Sequence, residues 1–243
     1  MSQTDNSTRS RMTPLVISLI AIIGVLVIVI VTFLVTSGGG SPRAAAPSAE
    51  SESESAAPLP DLARRDADDP TALGAVDAPV VIVEWADYRC PFCGVFARDT
   101  QPAIIDEYVE DGLVRIEWRD LPVFGDESIT AAYAGRAAGE QGLFWEFHDA
   151  VFADAPERGH AELPRERLIE IAQSIGVPDL VKFESDMDDP DLQARVQADL
   201  DEGYSLGVTS TPIFLVGQTP VVGAQPLEAF QQAIESELDR VGR

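Results

Sequence analysis

Residues Pro79–Cys93 read PVVIVEWADYRCPFC, and the fold turns on this stretch. Pro79–Ala86 is short, nearly continuous in apolar residues and rich in β-branched ones. That is the pattern of a strand buried on both faces of a sheet. Asp87, Tyr88 and Arg89 then lead into Cys90-Pro91-Phe92-Cys93. After Gly94, Val95–Glu110 has helical spacing, with Phe96, Ile104, Ile105 and Tyr108 as apolar positions and Pro102 as an expected kink. Leu113–Trp118 (LVRIEW) alternates as a second strand and closes a β-α-β unit.

The chain has only two cysteines, Cys90 and Cys93. In an exported chain a lone pair could be a structural disulfide. Closing so short a loop removes little chain entropy, about 2 kcal/mol against about 3 for fifteen residues. Where a strand feeds a helix, the first cysteine of Cys-x-x-Cys instead meets unpaired backbone N–H groups and the positive end of the helix dipole. Both favour its thiolate, and a stabilised thiolate is a good leaving group that makes the disulfide more oxidising. Redox chemistry is therefore the expectation. A zinc site built from the cysteines with His148 and His160 is the alternative, but the spacing between the histidines is far wider than the usual three to five residues. His148 is expected to pack with Phe144, Trp145 and Phe147.

Two further features fit redox work. Glu84 interrupts the apolar strand six residues before Cys90. It is either a solvent-facing edge residue or a buried carboxyl with a raised pKa, suited to exchanging protons with the second thiol through water. Gly207–Pro212 (GVTSTP) precedes the apolar run Ile213–Val216. If the Thr211–Pro212 bond is cis, the Thr211 backbone is expected to face outward and pair with an incoming extended peptide.

Further along, roughly Ser128–Tyr204 is helical, with Pro164 and Gly176 bracketing one helix. Ile213–Val216 reads as a third strand. Gly217–Pro220 reads as a turn before a short Val221-Val222, and a final helix runs from Pro226 to near Gly242.

Toward the N-terminus, Leu15–Val35 holds 21 residues without a charge. As a helix it spans roughly 31 Å, enough to cross a bilayer core. Residues 15–36 are thus expected to form a transmembrane helix. Arg9 and Arg11 precede it, so residues 1–14 are expected in the cytoplasm and everything after Val35 outside. The alternative, a cleaved signal peptide, would have a shorter apolar stretch with a small-residue site close behind. Residues 37–69 are rich in Ser, Ala, Pro, Gly and Glu and are expected to be a disordered linker, leaving 70–243 as the folded domain.

Composition excludes several classes. With 17 Lys+Arg against 41 Asp+Glu, the net charge of −24 repels nucleic-acid phosphates. A hydrophobic content of 45% excludes disorder throughout, and two cysteines exclude a disulfide-framed miniprotein.

Gly74–Cys93 (GAVDAPVVIVEWADYRCPFC), Glu140–Phe152 (EQGLFWEFHDAVF) and Val208–Phe214 (VTSTPIF) together resemble the DsbA-like thiol–disulfide oxidoreductases. The likeness covers about residues 70–240. It implies a thioredoxin fold of α/β class with a helical insertion between the second and third strands. It further implies that Cys90 attacks and is attacked, that Cys93 resolves, that Glu84 is the buried acid and that Pro212 is a cis-proline. Thr211, Pro212, Pro91 and Phe92 are expected to meet substrate. One departure is Phe92, where the best-studied members carry histidine. Phenylalanine cannot hydrogen-bond a thiolate, so an oxidant of middling strength is expected, with Arg89 compensating in part.

The resemblance implies no bound cofactor. It implies reduced exported proteins as substrates and a quinone-linked membrane partner for reoxidation, such as a vitamin K epoxide reductase homologue. A reductase or isomerase could use the same cysteines. A membrane-tethered binding module would keep its clients even with both cysteines changed to serine.

Overall fold

Strand β2 (Val80–Ala86) is the centre of the domain, and every residue in it is buried. The structure is a computed structural model that describes residues 59–243. The expected membrane span and most of the expected linker lie outside those residues. Among the described residues no helix is long and apolar enough to cross a membrane. With β1 (Ala72–Leu73), β3 (Val114–Asp120), β4 (Ile213–Val216) and β5 (Thr219–Val222), β2 forms one sheet in the order β1-β3-β2-β4-β5. β2 runs parallel to β3 and antiparallel to β4, so the β-α-β unit is present.

Helix α1 connects β2 to β3. It starts at Pro91, earlier than the spacing suggested, because Cys90 is extended and Pro91 sits in the first turn, where its missing N–H costs nothing. The run passes through Pro91–Val95, Phe96–Thr100, Gln101–Ile104 and Ile105–Val109, alternating α and wider π turns. Gln101 donates to the Phe96 carbonyl, five residues back. This widened turn accommodates Pro102, whose ring would clash in a regular helix, so the irregularity takes the form of a π-bulge.

The insertion comprises α2 (Asp126–Gly139), α3 (Phe144–Ala153), α4 (Arg165–Ser174), α5 (Leu180–Asp186) and α6 (Pro190–Ser205). Pro164 caps α4, and Gly176, at φ 80°, follows its end, as the bracketing residues predicted. Helix α7 (Leu227–Arg240) closes the chain. Thr219 and Pro220 belong to β5 and not to a turn. β5 is an edge strand, where proline's missing N–H leaves no ladder bond unmade on the solvent side.

Alternation along β2 and β3 sorts the two faces of the sheet. Val80, Ile82, Val114 and Ile116 pack with Phe96 of α1 and Phe230 of α7. Val81, Val83 and Trp85 face the other way, toward Leu62 and Leu200. On β3 that second face carries Arg115, Glu117 and Arg119, all buried. They hold the segment before the sheet. Glu117 accepts the backbone N–H groups of Arg64 (2.9 Å) and Arg65 (2.8 Å), while Arg119 donates to Glu117 (2.9 Å) and to the Leu62 carbonyl (3.1 Å). The Arg64 side chain pairs with Asp199 at 2.7 Å. The expected linker therefore ends earlier than residue 69. Leu59–Asp69 lies on the domain, held by this pairing and by Leu62 and Ala63, which pack on the second face of the sheet.

Candidate active site

The C-terminal end of β2 delivers Cys90 to the start of α1. The Cys90 N–H donates to the Asp87 carbonyl (3.0 Å), and the Cys90 carbonyl takes the Gly94 N–H (3.2 Å). Cys90 thus stands as the N-cap with Cys93 in the first turn, and both are free thiols. Cys93 is 1% exposed. Cys90 is itself only 2% exposed, less open than a residue at a helix tip would suggest, because Thr211 lies against it. The neighbouring Phe92 is 60% exposed.

The two thiols are pushed in opposite directions. The Cys90 thiol is lowered to about 6, first by the hydrogen bond from the Cys93 thiol, with burial opposing. Thr211 and the backbone N–H groups of Cys93 and Phe92 add to the lowering. Thr211 meets the sulfur in two ways. Its carbonyl oxygen accepts from the thiol at 3.3 Å, while its buried hydroxyl, otherwise without a partner, favours the thiolate. Burial drives the Cys93 thiol well up, and donating to Cys90 raises it further.

Glu84 lies on β2 between Trp118 of β3 and Phe214 of β4, so it is central in the sheet and not at an edge. It points to the α1 side, is 1% exposed, and its Oε2 has no hydrogen-bond partner. Burial pushes its carboxyl up to about 8, with the negative Cys90 adding to the shift. A group poised there can give or take a proton near neutral pH. Thr211–Pro212 is a cis peptide bond, and through Thr211 it sits beside Cys90.

Arg89 does not act on Cys90 as expected. Its guanidinium turns toward the insertion, donating to the carbonyls of Phe124 (2.6 Å) and Ala161 (2.7 Å) and facing Glu127 at 3.4 Å. Asp87, which the sequence reading passed over, ties the same corner. Its buried carboxylate accepts the N–H groups of Arg89 (2.8 Å) and Val123 (2.7 Å). An Asp two residues before a backbone N–H is a recognisable turn former, so the signal was present in Asp87-Tyr88-Arg89. Tyr88 was also missed. It is buried at 5.1 Å from Trp118 and 5.5 Å from Phe152, which seats the cysteine turn on the insertion. His148 is buried among Trp118, Trp145 and Phe152, and burial lowers its pKa.

A five-stranded mixed sheet with a Cys-x-x-Cys at a helix start, facing a cis-proline, is an arrangement on which thiol–disulfide exchange can run. The family model described as thioredoxin matches residues 66–236. The chain belongs to the thioredoxin family. The Na(+)/H(+) antiporter NhaA 3 of Salinispora tropica is 34% identical over 165 residues, covering 67% of this chain and 24% of that protein. The chain thus spans about a quarter of the length of the antiporter relatives it matches. Disulfide bond formation protein D of Bacillus subtilis is 27% identical over 168 residues, covering 68% of this chain and 76% of that one. The crystal structure of oxidised BdbD from Bacillus subtilis matches with a TM-score of 0.65 and 26% identity, over 70% of this chain and 92% of that chain.

Proposed function

We propose that this chain is an extracytoplasmic thiol oxidase, held at the cell membrane by residues 15–36, that makes disulfides in exported proteins. The observation that carries the reading is the opposed tuning of the two thiols, Cys90 low and Cys93 high. In the oxidised protein a substrate thiolate attacks Cys90 Sγ. The Cys90–Cys93 bond breaks, and its electron pair leaves on Cys93. That sulfur is a poor leaving group in its buried setting, so it takes a proton, and Glu84, about 8, still holds one to give near neutral pH. The substrate's second thiolate then attacks its own sulfur in the mixed disulfide, and Cys90 departs as a stabilised thiolate. The substrate leaves oxidised and the protein keeps both electrons as a dithiol.

Thr211, Pro212, Pro91 and Phe92 border the reacting sulfur and are the surface that the client chain meets. The dithiol must then pass its electrons to a membrane partner, for which a quinone-linked vitamin K epoxide reductase homologue is the candidate. Mixing the oxidised full-length protein with a reduced two-cysteine peptide tests the direction of flow. The expected result is one peptide disulfide formed for each protein disulfide reduced. A peptide left reduced, together with a dithiol protein that readily reduces the peptide's disulfide, would establish the reductase reading instead.

A further inference from the structure

His160 lies on the loop between α3 and α4, exposed, yet its Nδ1 stands 3.3 Å from the Arg89 carbonyl oxygen, in the peptide unit that ends at Cys90. A carbonyl only accepts, so Nδ1 carries the proton of this contact. The ring is held there. It stacks on Phe124 with centroids 4.1 Å apart, and the Arg89 guanidinium binds the carbonyls of Phe124 and of Ala161, the residue after His160. The other end of the Arg89–Cys90 peptide is fixed as well, since the Cys90 N–H donates to the Asp87 carbonyl. The Phe92 side chain brings no polar group to the sulfur. His148, the chain's other histidine, is buried.

We propose that His160 is a positioning residue for Cys90: its Nδ1–H clamps the Arg89–Cys90 peptide and so keeps the Cys90 sulfur against the first-turn N–H groups of α1 that favour its thiolate. The inference rests on Cys90 being the reacting thiol. A neutral imidazole makes this contact as well as a charged one, because only the Nδ1–H is needed.

Following Cys90 thiolate formation against pH by ultraviolet absorbance in the full-length dithiol protein tests the clamp. His160→Phe, which keeps the stack on Phe124 but removes the Nδ1 donor, should move thiolate formation to higher pH by about half a unit. His160→Asn, which keeps a side-chain N–H donor, should recover part of that shift. A His160→Phe thiolate curve superimposed on the wild type would overturn the proposal. Failure to form the Cys90–Cys93 disulfide at all would overturn instead the redox reading beneath it.

Discussion

The Cys90 sulfur lies 3.3 Å from the carbonyl oxygen of Thr211, residues 121 positions apart in the chain. The contact joins the start of α1 to the loop entering β4. On the oxidase reading, a client chain that reaches the sulfur there would take the place of the thiol at the Thr211 carbonyl.

The division of labour between the thiols predicts trapping. Cys93→Ser should accumulate mixed disulfides when given clients in their disulfide form: Cys90 attacks the client disulfide and frees one client thiol, the product is visible on non-reducing gels, and nothing inside the protein remains to resolve it. Cys90→Ser should accumulate none. Equal trapping by both variants would mean that the buried Cys93 is as reactive as Cys90.

Glu84 makes a pH prediction. Its folded carboxyl is about 8, against about 4.5 when unfolded, so the folded state holds the extra proton between those values. Its contribution to stability is fully present below about pH 4.5 and is lost as pH rises through 8. Glu84→Gln should remove that loss and stabilise the dithiol protein near pH 8 by an amount on the order of 2–4 kcal/mol. It should also slow client oxidation, because Cys93 loses its proton source. Urea denaturation across pH 5–9 reads the first effect, and single-turnover peptide oxidation reads the second.

Glu117 should be the residue whose loss releases Leu59–Asp69. Burial pushes its carboxyl up, but the Arg64 and Arg65 N–H groups and Arg119 outweigh this and hold it at about 2. Its contribution to stability is present above about pH 4.5 and is lost as pH falls through 2. Glu117→Ala would leave Arg115 and Arg119 buried without their shared partner, a loss of about 3–5 kcal/mol. Denaturant unfolding should show that loss, with new protease cutting around Arg64 and Arg65.

Gly135 faces the Tyr88 ring so closely that an added Cβ would lie 2.5 Å from its hydroxyl and 3.0 Å from its ring edge. The ring is enclosed by Trp118 and Phe152 and has nowhere to retreat. Gly135→Ala should cost about 1–3 kcal/mol despite alanine's better helix propensity. A variant as stable as the wild type would show that Tyr88 is not fixed as described.

The central strand, the cysteine turn and the helix bracketed by Pro164 and Gly176 could be read from sequence because each rests on a local rule of spacing or backbone geometry. The docking of Leu59–Asp69 could not. Its holding groups, Glu117 and Arg119, are distant in sequence and look like an ordinary polar strand face until α6 covers them. Arg89 was misread for a related reason: adjacency to Cys90 along the chain says nothing about which way a long side chain turns. The low exposure of Cys90 likewise depends on Thr211, which only the closed sheet brings near. His160 gave no signal at all, since its partner is a backbone carbonyl 71 residues away.

The most direct test of the account is the equilibrium of the Cys90–Cys93 pair with glutathione in the full-length protein, followed by alkylation of the free thiols. A Cys90 thiolate favoured in the dithiol predicts a potential clearly above that of thioredoxin, about −270 mV, and short of about −120 mV for the strongest oxidant of this architecture. A potential at or below about −270 mV would contradict the oxidase reading and assign the same two cysteines to reduction.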